Sequence, residues 1–261
     1  MVAVSMRCHH RTTRAYAFTL IELPAVSKRA FTLVELLVVI SIMAIMIALL
    51  LPALGSARAS AIDTQCKANL RSTHQLLYSF ASDQRGNLPL GYRGGRMQWN
   101  TMVYSGTSGK FVLFGRLFTD GYLDDGAALY CPAETASKQQ YDTPDNPWPP
   151  GANASANTEG GYASYPFLDW VWASTPDDLS PPKRWPNLDT LEPAQPLIAD
   201  GVGLPDRLDS RHVDGVHVLY ADAAVAWRNR VDFESPLSAC VGLAPVNNPL
   251  QQQIWSILAD R

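Results

Sequence analysis

A long apolar run near the N-terminus dominates the pattern of hydrophobic and polar positions. Residues 36–54 read LLVVISIMAIMIALLLPAL, and Ser41 is the only polar side chain among them. The 24 residues 31–54 exceed the roughly 20 that a helix needs to cross a bilayer core. A buried core helix and a signal peptide are the alternatives, but a signal peptide has a shorter apolar core. We predict a membrane-spanning helix over residues 31–54, with Leu36 and Leu51 inside the lipid.

Beyond this run, apolar positions recur at spacings of three and four, as on one face of a helix. The positions on this face are Ile62, Cys66, Leu70, Thr73, Leu77, and Phe80 or Ala81. Gly86 and Pro89 then supply the stop signals of a helix end. The pattern predicts one helix from about Leu33 to Ser82, in which residues 55–85 are an amphipathic segment outside the membrane.

Residues 86–261 are predicted to form a globular head of strands and loops. Twelve prolines lie between Pro144 and Pro205, a density that disfavours helices. The strand candidates are 111–114, 127–131, 162–172, 197–200 and a hairpin that turns at Asp222-Ala223. A short helix over 248–259, capped by Asn248, follows. The fold class is therefore α+β, with a long N-terminal membrane-spanning helix packed on a small antiparallel β-sheet head with long loops.

The tryptophans of the head allow two interpretations. All seven lie beyond residue 98. They form either the core of a small head or a surface on which sugars and other ligands stack, and a core is the commoner use of the residue. Trp148, inside the proline-rich segment, is the one that we expect to be exposed.

Charge divides the chain at the apolar run. Residues 1–30 hold five basic side chains and one acidic side chain, whereas the remaining 231 residues sum to −7. The basic leader is expected on the cytoplasmic side of the membrane, which places the head outside the cytoplasm. The sequence pI near 5.9 gives no sign of nucleic-acid binding, and the apolar content excludes a disordered chain.

Glu35 is an acidic residue at the start of the apolar run, where a carboxylate costs about 2–3 kcal/mol and so needs a partner or a purpose. Residues 28–35 read KRAFTLVE. This segment and the apolar helix after it resemble the signal of type IV pilins and type II secretion pseudopilins. An earlier copy, AFTLIE at residues 17–22, is not followed by a spanning run, so we interpret the second copy as the functional one.

The resemblance implies a processing site and a residue that takes part in filament assembly. A prepilin peptidase would cut between Ala30 and Phe31 and methylate the new N-terminus, although the family prefers Gly where this chain has Ala30. Glu35 would then be the fifth residue of the mature chain and would pair with the N-terminal ammonium of a neighbouring subunit. Pro52 matches a proline that kinks the helix in pilins.

By the same resemblance, the protein is a structural subunit rather than an enzyme. The implied partners are the prepilin peptidase, sister subunits bound through the N-terminal helix, and an assembly platform in the bacterial inner membrane. The expected location is that membrane, crossed once, with the head in the periplasm or outside the cell. The alternative is a membrane-tethered module that binds a ligand such as a polysaccharide. A hydrolase that uses His212 and Asp222 is a third possibility.

The segment RHVDGVHVLYADAAV, residues 211–225, resembles a C-terminal motif of pilin-like proteins abundant in planctomycetes. In that motif a His precedes Asp-Gly by a fixed spacing, and His212 and Asp222 match it. Ala223 replaces the glycine, so we expect a turn of a different type, since Ala tolerates a positive φ poorly. His212, His217, Asp214 and Asp222 are either a metal or acid–base cluster or, more simply, a turn and surface histidines.

Two further expectations concern crosslinks and metals. Cys66 and Cys131 would lie in an oxidising compartment, where a disulfide between them would contribute roughly 4 kcal/mol; buried free thiols are the alternative. The sequence contains no Cys-x-x-Cys pair, so it gives no sign of a zinc ribbon. We expect no cofactor, with calcium as the one exception. Some pseudopilins bind calcium through loop carboxylates, and Asp200, Asp209 and Asp214 are the candidates here.

Overall fold

The computed structural model describes residues 31–92, 95–106, 108–150, 158–166 and 186–260. The leader with Ala30 and the tryptophans at 170, 172 and 185 lie outside the described residues. The chain divides into two compact units, residues 1–52 and 53–261.

The predicted long helix is present as α1 (Leu33–Asp83). In the first unit, every described residue of this helix is exposed, and its apolar stretch is long and hydrophobic enough to cross a membrane. A core helix would bury this stretch against the protein, so the described residues argue against that alternative. Pro52 lies inside α1, where it cannot donate a backbone hydrogen bond.

The part of α1 in the second unit is amphipathic, as predicted. Its buried residues are Cys66, Leu70, Thr73, Leu77, Phe80 and Ala81, and Ile62 packs partly buried beside them. These side chains share one core with Leu197, Ile198 and Leu219 of the head. The spacing of three and four therefore marks the face of α1 that packs on a sheet.

Seven strands in the described part of the head form two antiparallel sheets. β1 (Met102–Ser105), β2 (Lys110–Phe111) and β3 (Thr158–Glu159) form one, in the order β2-β1-β3. β4 (Tyr162–Ser164), β5 (Pro196–Asp200), β6 (Gly215–Tyr220) and β7 (Val225–Asn229) form the other, in chain order. The helices are α2 (Gly115–Thr119), α3 (Pro205–Asp209), α4 (Arg230–Ser238) and α5 (Asn248–Ala259). The α+β class with antiparallel sheets is confirmed.

The four-stranded sheet has a core on each face. Val216, Val218 and Tyr220 of β6 pack in one core with Phe233 and Trp255 of the C-terminal helices. The alternate residues His217 and Leu219 face the other side, because successive side chains of a strand point to opposite faces. Leu219 lies in the core that includes α1. This alternation places His217 beside α1.

The strand expected at 127–131 is wrong. Residues Gly126–Leu129 form a 3₁₀ turn, and the side chain of Asp125 accepts a hydrogen bond from the backbone of Ala127 at its start. A Cβ at Gly126 would lie 2.3 Å from the Trp148 ring. The short apolar run therefore forms a tight turn that packs against an aromatic ring. Such a contact with a distant residue cannot be predicted from strand periodicity.

Trp148 is also corrected: it is half-buried rather than exposed. Its ring packs against Phe111, Phe118, Tyr130 and Tyr141 with centroid distances of 5.3–6.3 Å. Of the two possible uses of tryptophan, this residue therefore serves packing. Trp255, in α5, is buried as well.

The closing helix α5 is confirmed, but its predicted cap is not. Asn248 is the first residue of the helix, and its side chain accepts from the backbone N–H of Met97 and donates to the carbonyl of Gly95. The residue therefore ties α5 to a distant loop instead of capping the helix.

The hairpin between β6 and β7 turns through Ala223, which has φ of +66°. The backbone N–H of Ala223 donates to Tyr220 and that of Tyr220 to Ala224, as in three-residue loops whose last residue is left-handed. The expectation of a different turn is wrong, because Ala223 adopts the conformation that glycine favours.

Replacing Ala223 with Gly should stabilise the protein by roughly 0.5–1 kcal/mol, because the left-handed conformation costs an L-residue about 1–2 kcal/mol and glycine's extra entropy offsets only part of this. Urea unfolding of the detergent-solubilised chain, followed by circular dichroism, measures the change. Ala226→Gly, in the middle of β7, is the matched control and should destabilise instead. Stabilisation by both variants would show that the turn is not strained.

Candidate functional site

The N-terminus of α1 is held by a reciprocal pair of hydrogen bonds. The Glu35 carboxylate accepts from the backbone N–H and the hydroxyl of Thr32, both at 2.9 Å. In return, the Thr32 hydroxyl accepts from the backbone N–H of Glu35 at 3.1 Å. This is a capping box, which the Thr-x-x-Glu spacing signals and which our sequence analysis missed. Glu35 therefore has a partner within its own chain.

Phe31 lies next to this cap and is 73% exposed. Residues 26–51 match the family model of the prokaryotic N-terminal methylation motif. The segment is a type IV pilin-like prepilin signal. The signal contains Ala30, Phe31 and Glu35, and it ends within the apolar half of α1. Together, the prepilin signal and the exposed apolar helix indicate a membrane-anchored protein.

The other comparisons add nothing to the prepilin signal. No curated protein matches the chain, and no solved structure matches it. The methylation motif covers only the N-terminal part of the chain, so the C-terminal motif around His212 and Asp222 stays a resemblance.

The head contains a second candidate site, in which cysteine and histidine side chains meet between α1 and the sheet. The Sγ atoms of Cys66 and Cys131 lie 2.8 Å apart, and the Cys131 Sγ lies 3.3 Å from Nε2 of His212. Both thiols are free in the structure and buried. The disulfide expected between them stays a prediction, but the structure does bring together the two residues that it requires.

Asp200 and His217 adjoin this thiol pair. The Asp200 carboxylate accepts from the backbone N–H of His217 at 2.7 Å and lies 3.2 Å from its Nδ1. The same oxygen is 3.8 Å from Nε2 of His212. We call Cys66, Cys131, His212 and Asp200 the thiol–histidine cluster. His217 is fully buried, so the interpretation of it as a surface residue is wrong.

The charges around the cluster act on its titratable groups. A hydrogen bond with Cys66, together with burial, raises the pKa of the Cys131 thiol. Burial alone would lower the pKa of His212, but the hydrogen bond with Cys131 and the charge of Asp200 raise it overall. A hydrogen bond from Lys67 lowers the pKa of Asp63, whose carboxylate lies 2.7 Å from Nε2 of His217.

The two residues of the C-terminal motif are not brought together. His212 precedes β6, and Asp222 lies in the turn after it, so six strand residues, about 20 Å, separate them. The exposed Asp222 carboxylate accepts from the backbone of Ala224. A hydrolase that uses this pair as its acid and base is therefore not supported by the geometry.

The three calcium candidates lie on separate elements. Asp200 is buried at the end of β5, Asp209 at the end of α3 forms an ion pair with Arg230 at 2.5 Å, and Asp214 is in an exposed turn before β6. Among the described residues, neither group of converging ligands includes Asp209 or Asp214. The calcium site is an expectation from the sequence alone.

A buried ion pair lies next to His212 in sequence. Arg211 and Glu134 are 2.5 Å apart, with side chains 1% and 0% exposed. The Glu134 carboxylate also accepts from the backbone of Ala136, and Arg211 donates to Gln139. This pair could not be predicted from the sequence, because nothing in the local pattern links positions 134 and 211.

Proposed function

We propose that the protein is a prepilin-like structural subunit of a filament in a type II secretion or type IV pilus-like system. A prepilin peptidase removes residues 1–30 and methylates Phe31, and the mature subunit crosses the inner membrane once with its head outside the cytoplasm. The observation that carries this proposal is the match of residues 26–51 to the methylation motif, on an apolar helix segment that the described residues leave exposed.

The exposed half of α1 suits assembly as well as anchoring. Outside lipid, a single copy of this helix would expose its apolar surface to water. Copies in a bundle bury one another's apolar faces, as in helical filaments. A glutamate at the start of this helix can exchange its local contacts with Thr32 for the ammonium of a neighbouring Phe31. Inner-membrane location, orientation and an assembly platform belong to this proposal.

A tethered binding module is the second candidate, and one observation favours it. The head has an open cleft of about 400 Å³ lined by Gln65, Asn69, Tyr130 and Tyr141, among others. Mixed polar and aromatic walls of this kind suit sugar ligands. Trp148, by contrast, is engaged in packing against its aromatic neighbours.

Processing tests the proposed function through Ala30. Co-expression with a prepilin peptidase should convert the precursor to a shorter form, and Ala30→Gly should speed this conversion about tenfold, because one methyl group in a tight pocket is worth at least about that factor. A pulse-chase experiment resolved on denaturing gels measures the rate.

The earlier motif copy supplies the matched control for that experiment. Ala17→Gly changes the same residue type before the same Phe-Thr-Leu sequence, and it should leave the rate unchanged. If neither the natural chain nor Ala30→Gly is shortened by an active peptidase, the proposed function is wrong.

A further inference from the structure

We propose that the thiol–histidine cluster is a structural zinc site, with Cys66, Cys131, His212 and Asp200 as its four ligands. The ligands come from distant parts of the head: Cys66 lies on α1, Cys131 follows the 3₁₀ turn, Asp200 ends β5 and His212 precedes β6. Thiolate and imidazole ligands favour zinc, whereas calcium and magnesium prefer oxygen ligands. This proposal does not depend on whether the protein is membrane-anchored or assembles into a filament.

Three of the four ligands, Cys66, Cys131 and His212, converge on one point, whereas Asp200 converges with His212 but not with both sulfurs and has to move toward them to bind the ion. One ligand atom from each of Cys66, Cys131 and His212 lies within 4.8 Å of the other two. With the usual Zn–S and Zn–N bond lengths, tetrahedral coordination needs ligand atoms roughly 3.3–3.8 Å apart. The 3.3 Å from Sγ of Cys131 to Nε2 of His212 and the 3.8 Å from that nitrogen to Oδ2 of Asp200 nearly satisfy this. The two sulfurs, at 2.8 Å, need to separate by about 1 Å.

Asp200 supplies an independent reason to place a cation here. Its side chain is fully buried, and its Oδ1 has no hydrogen-bond partner among the described residues. A buried, unpartnered carboxylate oxygen is costly. The neighbouring Arg211 pairs with Glu134 and donates to Gln139, and among the described residues it makes no hydrogen bond to this oxygen. A zinc ion bound by this carboxylate would compensate its burial.

The surroundings also resemble a metal site beyond its ligands. Ligating carboxylates in proteins are usually held by further hydrogen bonds. His217 does this for Asp200 through its backbone N–H, with Nδ1 close by, and Asp63 holds the other side of the His217 ring. The cleft of about 400 Å³ reaches Cys131, which provides a path for the ion.

A disulfide is the alternative use of the same sulfurs. It would account for the approach of Cys66 and Cys131, but it would leave the Asp200 oxygen unpartnered and His212 beside a neutral sulfur. The zinc site uses all four groups. Since every position is taken by a protein ligand, the ion would be structural rather than catalytic, and it would tie α1 to the sheet.

Metal analysis of the full chain tests the proposal. The protein, purified from membranes in detergent without chelator or reductant, should contain about one zinc ion per chain. After removal of zinc by a chelator, added Co²⁺ should produce thiolate-to-cobalt charge-transfer absorption. His212→Ala and Cys66→Ser should each lose most of the metal. Cys240→Ser is the matched control and should retain it, because this buried thiol lies in the other core.

The state of the thiols separates zinc from a disulfide without any variant. With zinc bound, Cys66 and Cys131 should resist alkylation and react once a chelator is added, and chelation should lower the midpoint of thermal unfolding. A chain that contains no zinc, is lighter by two hydrogens and reacts only after reduction carries a disulfide, which overturns the proposal. Equal cobalt absorption in the natural chain and in a folded His212→Ala variant also contradicts it.

Discussion

Replacing Glu35 with Ala should abolish filament assembly while leaving membrane insertion and the fold of the head intact. In the proposed filament, the carboxylate pairs with the N-terminal ammonium of a neighbouring subunit at the edge of the lipid. Removing one partner of such a poorly solvated pair costs about 3–5 kcal/mol, which corresponds to a loss of assembly by a factor of a hundred or more. Crosslinking of subunits in membranes, followed by gel electrophoresis, measures the effect.

The capping box requires a second variant to interpret this result. Glu35 also caps α1 through Thr32, and loss of a cap costs about 1 kcal/mol. Glu35→Gln keeps a side chain that can accept the same hydrogen bonds but removes the charge. The filament account therefore expects Gln to fail as Ala does.

The controls for Glu35 come from the chain itself. Glu22→Ala changes the corresponding glutamate of the earlier motif copy and should have no effect on assembly, because this residue leaves with the leader. If Gln restores assembly, Glu35 acts as a helix cap only. If Glu35→Ala assembles normally while changes in the cleft around Tyr141 abolish ligand capture, the protein is a tethered binding module.

Replacing Glu134 with Ala should destabilise the head by about 3–5 kcal/mol. The substitution leaves the Arg211 guanidinium, only 1% exposed, without its ion-pair partner, and an uncompensated buried charge carries a cost of this size. Urea unfolding of the detergent-solubilised chain measures the difference. The double variant Glu134→Leu with Arg211→Met should be less destabilised than the single change, because it leaves no unpaired charge.

A surface ion pair gives the comparison for Glu134. Asp120 pairs with Arg116 at 2.7 Å, with both side chains more than a quarter exposed. Asp120→Ala should therefore cost no more than about 1 kcal/mol. Equal losses for Asp120→Ala and Glu134→Ala would show that burial of the Arg211 pair does not govern its contribution.

Features with a regular local pattern could be predicted from the sequence. The spacing of apolar residues defined α1 to within a residue or two, and the alternation around Val216 and Val218 defined the β6–β7 hairpin. These predictions succeeded because helix and strand periodicities are properties of a short stretch of chain.

Features that depend on distant contacts could not be predicted. The run 127–131 forms a turn in which Trp148 packs on Gly126, and the Trp148 ring in turn packs against aromatic residues that are distant from it in sequence, such as Phe111 and Phe118. The thiol–histidine cluster was found only in part, as a Cys66–Cys131 pair. The position of Asp200 in this cluster and that of His217 beside it depend on the strand register, which cannot be read from the sequence.

The mass of the intact membrane form tests the prepilin account most directly. Mass spectrometry of the protein purified from a host with an active prepilin peptidase should show a chain that begins at Phe31, lacks residues 1–30 and carries one added methyl group. Fragmentation should place the methyl group on the N-terminal amine. A full-length chain, or one cut elsewhere and unmethylated, would contradict the account.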